Sequence, residues 1–136
     1  MLNKVLFIDD DSVALMLNGK LVEKTLFAKK TVTALNGKLG LDYLNKLLSD
    51  QEHSTFPELI FLDLNMPVMD GGDFLDRFSD LAFPEGKQSK VIVLSSSINP
   101  EDLERSKNHA VVIDFIPKPV TVEILERLKE RFSNMT

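Results

Sequence analysis

The sequence contains no cysteine, which rules out disulfide frameworks, thiolate zinc sites and cysteine nucleophiles. It lacks any apolar run close to the roughly 20 residues of a membrane-spanning helix. The first residues, Met1-Leu2-Asn3-Lys4, lead into a strand-like run ended by three aspartates, unlike the apolar stretch of a signal peptide. Excess positive charge is missing too. A net charge of −5 argues against a nucleic-acid surface, which is ordinarily basic. Repeats, low-complexity tracts and linkers are likewise missing. The expectation is a cytoplasmic chain that engages neither membrane nor nucleic acid.

What is present suits one domain. The 136 residues, 43% hydrophobic and 27% charged, suffice for a core without staples. Short apolar runs alternate with longer amphipathic stretches. Strands are expected at Val5–Ile8, Thr31–Ala34, Leu59–Leu62, Val91–Leu94 and Val111–Ile116. Helices are expected from Ser12 to about Phe27, from the cap Asn36 to about Leu48, and from Asp70 towards Leu81. Two more should begin at Asn99-Pro100 and run from Thr121 to about Phe132. Leu15, Leu17, Leu21, Val22 and Leu26 are candidates for the inner face of the first helix, and Leu39, Tyr43, Leu44 and Leu47 for that of the second. Asp70 and Asp73 look like a cap and its reciprocal partner. Gly72 should weaken the start of the third helix by about 1 kcal/mol relative to alanine. Five strand–helix units without a hairpin signal imply an α/β fold, a parallel sheet covered on both faces.

Ligands of such sheets bind outside the carboxyl ends of the strands, and those ends carry the chemistry. The first supplies Asp9 and Asp10, the third Asp63 with Asn65 two residues on, the fourth Ser95 and Ser96, and the fifth leads to Lys118. Hard oxygen donors without His or Cys suit Mg2+ (or Mn2+). Asp10 and Asp63 are the expected direct ligands, the Asn65 backbone carbonyl a third, and Asp9 would act largely through water. Lys118 and the cation would offset the repulsion of the crowded carboxylates. Asp63 is placed to act as a nucleophile that forms an acyl phosphate. Lys118, the Ser95 hydroxyl and the Ser96 backbone N–H would then neutralise the phosphoryl oxygens. Asp11 and Ser12 read as a helix start, and His53 and His109 as surface residues.

Taken together, Asp9-Asp10, the block Asp63-x-x-Met66-Pro67-x-Met69-Asp70-Gly71, the hydroxyl of Ser95 and Lys118-Pro119 resemble the receiver domain of two-component response regulators, of the single-domain, chemotaxis-regulator-like kind. The resemblance covers essentially the whole chain. It implies a flavodoxin-like (βα)5 doubly wound sheet of strand order 2-1-3-4-5, with no output domain attached. It also implies phosphorylation of Asp63 by a sensor histidine kinase or phosphotransfer protein, and a conformational switch involving Ser95 and Phe115. The message would leave through the fourth helix, fifth strand and fifth helix to an unidentified partner protein. A cis bond is implied at Lys118-Pro119. Serine at 95 and phenylalanine at 115 depart from the commoner threonine and tyrosine.

Such a chain catalyses only its own phosphorylation and dephosphorylation. A Mg2+-dependent aspartyl-phosphate hydrolase is the alternative, weakened because Asn65 stands where those enzymes carry an acid/base aspartate. A phosphorylation-independent binding module is a third reading. The segments 50–57 and 82–89 have no assigned role.

Overall fold

The apolar runs become strands whose side chains alternate between two buried faces. In the computed structural model, which describes residues 1–50, 56–64, 66, 69–95 and 100–133, strands and helices alternate throughout. They are β1 (Leu2–Ile8), α1 (Ser12–Thr25), β2 (Ala28–Ala34), α2 (Gly37–Ser49), β3 (Leu59–Asp63), α3 (Gly71–Phe78), β4 (Lys90–Ser95), α4 (Pro100–Lys107), β5 (Val112–Pro117) and α5 (Val122–Ser133). The sheet runs β2-β1-β3-β4-β5 and every pairing is parallel. This is the flavodoxin-like order that the resemblance implied. Residues Asn65, Ser96 and Asn99, and with them His53, lie outside the described residues.

Period-two alternation divides the core. Leu6, Ile8, Ile60, Leu62, Val91 and Val93 face α2 and α3, where Leu44, Phe74 and Phe78 cover them. Val5, Phe7, Phe61, Ile92 and Leu94 face α1 and α5, against Leu15, Val22, Leu125 and Leu128. Phe7 and Phe61 stack at 4.5 Å between ring centroids on that second face. With both faces of the sheet covered, the loops that follow the strands are gathered along its carboxyl edge.

Several helix faces differ from expectation. In α1 the buried positions are Leu15, Asn18, Val22 and Thr25, whereas Leu17 and Leu26 are exposed. Asp11 caps this helix, its Oδ1 accepting the N–H groups of Val13 and Ala14 at 3.0 and 3.2 Å. In α2 the buried face is Gly37, Gly40, Leu41 and Leu44, and Leu39 is exposed. α3 ends at Phe78 rather than near Leu81. Asp70 caps it by accepting the Asp73 N–H at 2.8 Å, but the Asp73 carboxylate turns to Arg105 instead of closing a reciprocal box.

Leu26 is exposed because α1 ends in a Schellman turn. The Phe27 N–H donates to the Val22 carbonyl and the Leu26 N–H to the Glu23 carbonyl. That turn puts Leu26 at φ 55°, a left-handed conformation in which glycine is usual. With the side chain 60% exposed, little packing offsets the strain. Leu26→Gly is expected to raise unfolding stability by about 0.5–1 kcal/mol, net of the added unfolded-state entropy. A urea midpoint that falls instead would show that this leucine packs more than its exposure suggests.

Candidate functional site

Three strand ends and the turn after a fourth converge at the carboxyl edge of the sheet. Asp9 follows β1, and its N–H donates to the Ala34 carbonyl at the end of β2. Its Oδ1 accepts the Asp11 N–H at 2.9 Å, so the residue that caps α1 also orients Asp9. Asp63 is the last residue of β3 and pairs in register with Leu94. Ser95, the next residue of β4, is buried at that strand's end. Lys118 follows β5, donates its N–H to the Ser95 carbonyl at 3.0 Å, and precedes Pro119 through a cis bond.

The cluster is mostly sealed. Asp9 and Asp63 are only 2% and 3% exposed, and Asp10 is exposed beside them. Lys118 Nζ donates to Asp63 Oδ2 at 3.2 Å. It also lies 2.7 Å from Asp9 Oδ2, a buried ion-pair contact. Burial is the largest single effect on the Lys118 ammonium and lowers its pKa. The contact with Asp9 and the charge of Asp63 together outweigh it, holding the group above the ordinary lysine value.

The carboxylate oxygens of Asp9, Asp10 and Asp63 lie within 4.8 Å of one another. Oxygen donors at that spacing, with no nitrogen or sulfur ligand among the three, fit one small hard cation. The donor set therefore suits Mg2+. Of the residues expected at this site, the structure brings together Asp9, Asp10, Asp63 and Lys118, with Ser95 on the adjacent strand.

Gly71 lets α3 begin directly behind β3. A Cβ there would stand 2.8 Å from Leu64 Cα and 3.1 Å from the Asp63 carbonyl oxygen. Phe115 sits on β5, half-buried, beside Val93 and against the cluster beneath α3.

Sequence reasoning missed a charged clamp between α3 and α4. Asp70, Asp73 and Asp76 form a stripe along α3, and the Arg105 guanidinium spans it, bonded to Asp73 and Asp76 and 4.0 Å from Asp70. Gly72 makes this possible, because a Cβ there would meet Arg105 Nη1 at 2.6 Å. Room for a cation, rather than weakness of the helix, is what that glycine contributes. His109 is not a free surface residue either. Its Nε2 lies 3.0 Å from Asp76 Oδ1 and its Nδ1 2.9 Å from Ser79 Oγ. The acidic stripe at intervals of three residues was the available signal.

The Arg105 hydrogen bond is the main reason the Asp76 carboxyl titrates below its ordinary 3.8. A depressed carboxyl stabilises the fold above its unfolded pKa, and that contribution disappears as pH falls through the folded value. The pair is half exposed, so screening holds its worth to roughly 0.2–1 kcal/mol. Arg105→Ala is expected to lower stability by that amount at neutral pH and by progressively less in acid below 3.8. Urea unfolding at several pH values checks this, and a difference independent of pH would remove Asp76 as the cause.

A doubly wound α/β sheet with acidic residues and a lysine at its carboxyl edge defines the class of this molecule. The chain belongs to the response regulator receiver domain family, whose sequence model matches residues 5–130, and it is thus a module of two-component signalling. A two-component response regulator from Cytophaga hutchinsonii has a similar crystal structure, with a TM-score of 0.83, 28% identity and 98% of both chains covered. The probable methanogenesis regulatory protein FilR2 of Methanothrix harundinacea is 29% identical over 127 residues, which are 93% of this chain and 78% of that protein. A protein-glutamate methylesterase/protein-glutamine glutaminase 2 of a Shewanella species is 31% identical over 118 residues, 85% of this chain but only 30% of that protein. The likeness to the methylesterase is thus confined to a part of it. Among the described residues no helix is long and apolar enough to cross a membrane.

Proposed function

We propose that this receiver domain accepts a phosphoryl group on Asp63 from a sensor histidine kinase or phosphotransfer protein, and that the modified form signals to a partner through α4, β5 and α5. The observation that carries the reading is the Asp63 carboxylate at the end of β3, bonded to Lys118 at 3.2 Å within a three-carboxylate cluster. In the transfer an Asp63 oxygen attacks phosphorus as the bond to the donor imidazole nitrogen breaks. The imidazole keeps that electron pair and is protonated from solvent. Lys118 takes one phosphoryl oxygen as a point charge, and the Ser95 hydroxyl donates to another. Mg2+ (or Mn2+) held by Asp9, Asp10 and Asp63 supplies the remaining charge neutralisation.

Exposed apolar residues at the same edge support a protein as the donor. Val13 opens α1, while Leu35 and Leu39 flank the start of α2, and all three are exposed. In the modified state Ser95 moves towards Asp63, and Phe115 repacks against the space beside β4. Intact-mass measurement after exposure to an acyl phosphate tests the acceptor: a gain that maps to Asp63 supports it, and no gain in the presence of Mg2+ sinks it.

A further inference from the structure

Among the described residues other than glycine, Leu26 and Met69 hold a positive φ, both at 55°. The Schellman turn accounts for Leu26. Met69 ends no helix. It precedes Asp70, the cap of α3, in the segment that leaves β3 after Asp63. A left-handed conformation strains such a residue, and the strain persists only where the surroundings impose it.

Two neighbours impose it here. Gly37, buried at the first position of α2, lies against Met69, and a Cβ on it would stand 2.8 Å from the Met69 carbonyl oxygen. The same Cβ would be 3.2 Å from Met69 Cγ, so only glycine admits this approach. The start of α2 is itself fixed, because Asn36 Oδ1 accepts the Leu39 N–H at 2.9 Å. The second neighbour is the bond from the Gly71 N–H to the Leu64 carbonyl, 3.1 Å long. Met69 is two residues from that bond, and Leu64 directly follows Asp63. The half-buried Met69 side chain adds a contact with the core beneath α2 and α3.

We propose that Met69 is a positioning residue for the carboxylate cluster. Its left-handed turn, seated on Gly37, holds the Leu64–Gly71 bond in place and with it the distance of Asp63 from Asp9 and Asp10. Met69 acts through the backbone, so conformation at position 69 matters more than the apolar side chain. The inference rests on the Mg2+ site proposed above and not on phosphoryl transfer.

Calorimetric titration with MgCl2, without any phosphodonor, tests it. Met69→Asn loses apolar contact but tolerates the left-handed conformation, and its Mg2+ affinity should stay within about twofold of the unaltered chain. Met69→Val keeps an apolar group but resists that conformation, being β-branched, and should bind about tenfold more weakly. Gly37→Ala should weaken binding about fivefold; alanine is the better helix former, so the loss would come from a displaced carbonyl and not from fraying of α2. The substitutions act from opposite sides of one contact, and misfolding of either leaves the other to decide. Affinity that follows the apolar side chain, with Met69→Val tight and Met69→Asn weak, overturns the proposal. Unchanged binding in both Met69→Val and Gly37→Ala does the same. An unaltered chain that takes up no Mg2+ removes the metal site and this inference with it, whereas absence of phosphorylation at Asp63 leaves the inference standing.

Discussion

Treated with Mg2+ and a small acyl phosphate, the unaltered chain is expected to gain one phosphoryl group per molecule and the Asp63→Asn chain none. Asparagine has nearly the same shape and can still accept from Lys118, so the edge of the sheet should persist. What it loses is the anionic oxygen that attacks phosphorus. Asp9 and Asp10 lie in the same cluster, yet neither is placed to substitute. Asp9 is turned into contact with the Asp11 N–H and Lys118, and Asp10 is open to solvent. Peptide mapping of the product decides between them. Phosphate on Asp9 or Asp10, or an undiminished gain in Asp63→Asn, would falsify the assignment of the acceptor.

The largest stability effect is expected at Lys118. Lys118→Met keeps the aliphatic stem but leaves Asp9 and Asp63, both almost fully buried, without their cation. Breaking a buried pair by removing one partner typically costs about 3–5 kcal/mol. Lys118 is itself not fully sealed, so the lower half of that range is expected in metal-free buffer. Mg2+ should restore part of the loss and so stabilise the variant more than the unaltered chain. The pH dependence has a definite sign. Because the folded-state pKa of Lys118 is raised, its contribution is complete below the unfolded value of 10.5 and lost as pH rises through the folded one. The difference between the two chains should therefore hold constant from neutral to mildly alkaline pH. A loss under about 1 kcal/mol in urea unfolding without metal would mean that water already screens the carboxylates.

The candidate site was legible because four of the five apolar runs lead into its residues. Asp9, Asp63, Ser95 and Lys118 stand where strand hydrophobicity stops, and a parallel sheet must place those ends together. The order of the strands came from family resemblance, since nothing in periodicity distinguishes it from other parallel arrangements. Strand lengths were underestimated where lysines occur. Lys4 lies within β1, buried, with its ammonium 5.6 Å from the Tyr43 ring centroid, and Lys29 and Lys30 belong to the edge strand β2.

Helix faces were harder to read for a different reason. The inner face of α2 includes Gly37 and Gly40, where the backbone itself comes close to Met69 and to the sheet; a Cβ on Gly40 would come within 2.6 Å of Ile8 Cδ1. Counting hydrophobic side chains cannot detect a contact made by their absence. In α1 two leucine stripes compete, and Leu17 lies on the exposed one while Leu15 joins the core.

The Arg105 clamp divides the molecule electrically. Its arginine and three aspartates are about half exposed, whereas Lys118 and its carboxylates are largely enclosed. Dissolved ions screen the first set and scarcely reach the second. Raising ionic strength therefore loosens the tether between α3 and α4 while the carboxylate cluster keeps its internal attractions. The surface through which the message is proposed to leave is thus sensitive to the salt around it in a way that the place where the message would be written is not.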